Sequence, residues 1–250
     1  MTRGAAALLL LLAAAAPARA ACPDIPTVAH FARALLEREV PAPLPVTTLA
    51  EARCAQDRLV ALLAQPWGDV QGFVLAAEAQ PPLRGVLFFA SLRARSGETL
   101  DIRYAARPAI APGIVLHIGE DGRAAMASPY LALLDLVAMP DGDGALARIA
   151  GNLGLRLGVV GTPAPLPASA PDALLQADGS TVAALAQLGF AASPQDLLAE
   201  LARELAAEGR PLRPGASVAL LAAPAPIAPR SGETWRLSVF GLGVVSVTFR

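Results

Sequence analysis

Lysine is missing from this chain of 250 residues, whose 20 basic side chains are all arginine. That excludes Schiff-base chemistry and a lysine general base, which both need a primary amine. Charge is scarce as well: 16% of residues are charged, 54% are apolar, and the formal net charge is −1. A protein that grips nucleic acid through its phosphates needs a clustered positive surface, so no nucleic-acid partner is expected. Nor does so apolar a chain remain disordered. Histidine occurs only at His30 and His117, neither in a nucleophile-elbow sequence, which leaves no Ser-His-Asp triad to argue. Cysteine occurs only at Cys22 and Cys54, without metal-ligand spacing.

The N-terminus reads as an address. Arg3 precedes an apolar stretch from Ala5 to Ala16, Pro17 breaks it, and Ala18-Arg19-Ala20 presents small residues where a signal peptidase cuts. The stretch is well short of the roughly 20 residues that cross a bilayer as a helix, and no second one follows. Residues 1–20 are therefore expected to be a signal peptide, and the mature chain a secreted, periplasmic protein with no membrane insertion. In that oxidising compartment Cys22 and Cys54 are expected to form a disulfide. Chain-entropy arguments give such a bridge about 3–4 kcal/mol.

Two helices should open the mature chain. Val28, Phe31, Ala32, Leu35 and Leu36 fall on one stripe within residues 24–39. After the Pro41–Pro45 connector, Thr48 and Glu51 form a capping box for a helix through about Gln65. Residues 21–66 thus form a small helical layer. From Trp67 the pattern shifts to short β-like segments at 69–77, 84–90, 98–107, 112–119, 154–161, 216–221, 233–240 and 243–249, separated by turn sequences. One helix interrupts them, with Ser193 as cap, Pro194 in the first position and Gly209 as stop. Its Glu200, Arg203, Glu204 and Glu208 read as an outward face. Proline-rich residues 162–172 read as an extended loop. The fold class is α+β, with a core that is mostly sheet over residues 67–250.

The order of these landmarks resembles the 2-keto-4-pentenoate hydratases of the fumarylacetoacetate hydrolase superfamily. The pieces are Val70–Ala77, Gly85-Val-Leu-Phe88, Ile149-Ala-Gly-Asn152, Gly158-Val-Val-Gly161, and the C-terminal run from Gly209 through Gly241–Phe249. The resemblance covers about residues 45–250 and implies a mixed-sheet, β-roll core. It also implies a magnesium or manganese ion held by three carboxylates, which chelates a 2-keto acid so that water can add to a distant double bond. The residues depart from that chemistry. The family's Glu-x-Glu pair falls on Ala111-Pro112-Gly113, its third carboxylate near Ala132 and its lysine on Val74. The stretch that would hold the substrate carboxylate has become Leu221–Ala225, and the small-residue loop near 178–186 departs too. Asp135 and Asn152 still match.

Outside the resemblance, His117 on its apolar strand is a candidate ionisable ligand or switch, with the polar face of a strand as the plain alternative. His30 reads as a surface residue. Glu120-Asp121-Gly122 and Asp141–Gly144 read as turns, since neither has the spacing of a calcium loop. Arg93, Arg95, Arg103 and Arg107 could grip an anion if their segments are strands. The expectation is a secreted hydratase-like protein without the metal and lysine site, and so with no cofactor. It would bind a small organic acid or apolar ligand in a cavity walled by Phe73, Leu87 and Phe88, with Asn152 as polar contact. Two alternatives stand beside it. One is an active hydratase, a carbon–oxygen lyase with relocated groups such as Asp135, Glu78 or His117 and a retained magnesium or manganese ion. The other is a non-catalytic interaction module. The sequence sets no oligomeric state.

Overall fold

The structure, a computed structural model, describes residues 22–139, 144–222 and 227–250. The expected signal peptide and the turn at Asp141–Asp143 lie outside the described residues. Helix α1 (Ile25–Glu37) starts at Asp24, whose carboxylate accepts the Thr27 amide, and buries Val28, Phe31, Ala32 and Leu35. Leu36, expected on that stripe, is largely exposed. Helix α2 (Leu49–Trp67) opens with the expected capping box and runs past Gln65 through Pro66 to Trp67. The Cys22–Cys54 disulfide ties the segment before α1 to α2, with the Cα atoms 5.6 Å apart.

The sheet region begins with β1 (Val70–Ala76) and β2 (Leu83–Phe88), followed by the short helix α3 (Phe89–Arg93). Next come β3 (Ala94–Arg95), β4 (Thr99–Leu100), β5 (Pro108–Ile118) and β6 (Ala124–Asp135). Helix α4 (Gly144–Ala150) leads to β7 (Leu155–Val160), β8 (Ala164–Pro165), β9 (Ala173–Ala177) and β10 (Ser180–Leu185). Helix α5 (Pro194–Ala207), β11 (Ser217–Leu221), β12 (Thr234–Val239) and β13 (Gly243–Phe249) complete the chain. α5 is capped by the Ser193 hydroxyl. It ends in a Schellman pattern at Gly209 (φ +70°), where the Arg210 amide reaches Leu205 O and the Gly209 amide reaches Ala206 O.

One sheet runs β2-β1-β11-β5-β6-β7-β3 with β8 paired to β6, and a second runs β10-β9-β12-β13-β4. Alternation divides the large sheet cleanly. One face sends Leu75, Ile114, Leu116, Leu131, Leu133 and Leu220 into a core shared with the second sheet and α5. The opposite face sends Val74, Ala111, Val115, Tyr130, Ala132 and Ala219 into a separate apolar cluster.

Three expectations are corrected here. Residues 98–107 are not a strand: after β4 the Asp101 carboxylate accepts the Arg103 amide and turns Ile102–Tyr104 into a single 3-10 turn. Residues 178–186 are mostly strand β10 rather than loop. The outward face assigned to α5 is half wrong, since Glu204 and Glu208 meet arginines of α2 and β2.

Candidate functional site

The positions to which the sequence resemblance assigns metal ligands and a lysine come together. Ala111 is the register partner of Ala132, Gly113 faces both Tyr130 and Leu221, and Val74 neighbours Ala219 on the same face. They form one patch spanning four adjacent strands. Val74 and Ala132 are completely buried, and Ala111 and Leu221 are nearly so. No side chain at these positions has an oxygen or nitrogen to give. The backbone carbonyls there belong to the sheet ladders that the registers define.

The patch is also tightly closed. A Cβ built on Gly113 would lie 2.2 Å from Leu220 O, so no side chain fits there without moving β11. A Cβ on Gly158 would lie 2.0 Å from the Tyr130 hydroxyl. That glycine lets the Tyr130 ring lie across β7 and donate its Oη proton to Ser91 O at 2.8 Å. Complete burial pushes the Tyr130 phenol far above its usual range. The residues present therefore do not fit a hard divalent cation, which requires several oxygen ligands. Among the described residues, no group of three His, Cys, Asp or Glu could hold a metal ion. Residues 223–225 of the Leu221–Ala225 stretch lie outside the described residues.

The four residues expected to wall one cavity do not converge. Leu87 belongs to the patch just described, Phe88 packs with α1 and α2, and Phe73 faces the other core beneath the Arg84 guanidinium, 5.9 Å from its ring centre. Asn152 is consumed by β2. Its Oδ1 accepts the Val86 amide at 2.7 Å and its Nδ2 donates to Val86 O at 3.0 Å. Asp135 is buried and accepts the amides of Ala106, Arg107 and Val137, which organises the segments that enter β5 and leave β6, side by side at one end of the pair. Arg148 donates to Glu78 at 3.2 Å. His117 does lie on the polar end of a strand, half-buried, with Nε2 2.8 Å from Ser128 Oγ. Burial, aided by the charge of Arg95, lowers its pKa from the usual histidine value. Arg93, Arg95, Arg103 and Arg107 do not form a grip: Arg103 pairs with Asp101 and Arg107 donates to Leu136 O.

A different constellation was not legible beforehand. Arg53 of α2 and Arg84 of β2 interleave with Glu204 and Glu208 of α5. Arg84 Nη2 donates to both Glu208 oxygens, at 3.0 and 3.1 Å. Its Nη1 is buried without a hydrogen-bond partner, 3.6 Å from Glu204 Oε2. These charges edge a cavity of about 870 Å³ between α2, the β1–β2 turn, α4 and α5. Burial, then the neighbouring Arg84 charge, lowers the Arg53 pKa.

Neither a protein-family model nor a curated protein matches the sequence. Solved structures do match. The 4-oxalocrotonate decarboxylase of Pseudomonas putida G7, complexed with magnesium and adipate, has a TM-score of 0.80 at 18% identity, covering 90% of this chain and 97% of that one. Fumarylpyruvate hydrolase of Pseudomonas aeruginosa, in complex with Mn2+ and pyruvate, has a TM-score of 0.53 at 17% identity, covering 71% and 88%. The 5-carboxymethyl-2-hydroxymuconate delta-isomerase of Mycobacterium smegmatis has a TM-score of 0.51 at 11% identity, covering 72% and 79%. The chain has the fold these proteins share, of the fumarylacetoacetate hydrolase type. A decarboxylase, a hydrolase and an isomerase all use it, so the fold itself names no reaction.

Proposed function

We propose that this chain is an exported protein of fumarylacetoacetate hydrolase fold that has given up metal-assisted chemistry on 2-keto acids and binds a small organic molecule. One observation carries the reading. The four positions to which the resemblance assigns metal ligands and a lysine meet on one buried face, and they are Val74, Ala111, Gly113 and Ala132. Alanine, glycine and valine can neither hold the ion nor move a proton. Export is supported by the signal-peptide pattern of residues 1–20 and by the Cys22–Cys54 bridge.

The competing reading, a hydratase with relocated groups, draws no support from the candidates' positions. Asp135 serves three amides, Glu78 pairs with Arg148, and His117 pairs with Ser128. The decisive experiment offers a 2-hydroxydienoate to the mature protein with manganese present and follows loss of the dienoate's ultraviolet absorbance. The expected rate equals that of buffer. Turnover that disappears in Asp135→Ala would restore the active lyase.

A further inference from the structure

We infer that the cavity between α2, the β1–β2 turn, α4 and α5 is a binding site for a small carboxylate with an apolar body. This deepens the proposed function and rests on it, because it supplies the site that the dry patch does not. About 870 Å³ is within the range of small-molecule sites, roughly 300–1,000 Å³. The cavity is distinct from the place of the relatives' chemistry. Leu75 and Leu201 line it, and Leu75 points to the opposite sheet face from its neighbour Val74.

Its walls divide into two kinds. The β1–β2 turn and α4 contribute an apolar side, including Pro81, Pro82, Leu146 and Ile149. The other side carries charge: four guanidinium groups line the cavity, against the two carboxylates Glu200 and Glu204. Arg53 and Arg84 already face Glu204 and Glu208, which fixes them as a rigid, charge-compensated floor. Arg84 is the built element, with only 7% of its side chain exposed and Nη1 left without a hydrogen bond. Nearer the solvent, among the described residues, Arg203 is exposed and has no polar partner, and Arg148 is held by Glu78 alone. A carboxylate between Arg203 and Arg148 would gain charge-assisted hydrogen bonds while its hydrocarbon lies on the proline and leucine wall. Glu200 in the same wall opposes a dianion and favours a single negative charge.

The test titrates the mature protein calorimetrically with hexanoate, its neutral analogue hexanamide and the dianion adipate, with and without manganese. Hexanoate is expected to bind saturably without metal. A charge-assisted contact implies binding about tenfold tighter than hexanamide's, and a loss of similar size in Arg203→Ala. Arg203 is exposed, so that variant keeps the fold. Ala145→Trp, also exposed, projects bulk into the cavity and should abolish binding of all three. No saturable hexanoate binding, equal affinity for hexanamide, or indifference to both substitutions would overturn this site and leave the loss of metal chemistry standing. Binding of hexanoate or adipate that requires manganese would instead overturn the proposed function.

Discussion

The two sides of strand β1 are built in opposite ways. On the Val74 side, to which the sequence resemblance assigns the reactive groups, every position is small or aliphatic and the space is closed by Tyr130 crossing Gly158. Beyond the Leu75 side, at the flank between α5 and the N-terminal helices, arginines and glutamates from distant parts of the chain surround an open cavity. Unpaired polar groups are costly when buried, and close packing leaves the closed patch to apolar side chains. Charge survives only where it is paired or reaches water.

The sharpest way to break the comparison is to put a carboxylate back. Ala132→Glu buries an unpaired charge in the dry patch and should cost more than about 4 kcal/mol, read by urea denaturation. A near-neutral substitution would mean that the patch is solvated. Arg84→Ala probes the other region. It leaves Glu204 and Glu208 with Arg53 as their partner and should cost about 2 kcal/mol, under the range for breaking a fully buried pair because both glutamates are partly exposed. A loss below about 0.5 kcal/mol would reduce the network to a surface ornament.

The smallest effect concerns His117. Its folded pKa is lowered by burial, so the unfolded chain binds the proton more readily. Its contribution is present above the unfolded value near 6.5 and is lost as the pH falls below it. Between about pH 8 and pH 5 the parent protein should therefore lose more stability than His117→Gln. Parallel pH profiles would show that His117 titrates as it does in the unfolded chain.

Local signals carried helices α1, α2 and α5, while the short α3 and α4 were not expected and α3 begins inside the segment 84–90 read as strand. Thr48 with Glu51, and Ser193-Pro194 with Gly209, announce the start of α2 and both ends of α5 within a few residues, and the structure keeps all of them. The sheets were less legible. β6, central in the large sheet, is buried on both faces, so residues 127–133 lack the polar alternation that marks a half-buried strand. The β9–β10 hairpin did carry a signal that was passed over: Asp178-Gly179, both at positive φ, is the Asp-Gly pair that a two-residue type I′ turn requires. Residues 98–107 deceived because Leu100, Ile102 and Tyr104 alternate like a strand, while Asp101 turns the backbone instead.

The candidate site divides along the same line. Which residues stand at the positions the resemblance assigns to ligands is a matter of residue identity and needs no structure. Their closure by Tyr130 over Gly158 could not be read in advance, because it depends on the β6–β7 register. The flank cavity left no mark in the sequence. Arg53, Arg84, Arg148 and Arg203 come from four separate elements, with no spacing to connect them.

A manganese titration of the mature protein, followed by thermal melting, tests the central claim most directly. An ion that binds only the folded state must raise the midpoint as its concentration passes Kd. The prediction is an unchanged midpoint up to millimolar manganese. A saturable rise, lost when Asp135 is replaced by alanine, would mean that a metal centre persists in this fold and would contradict the account.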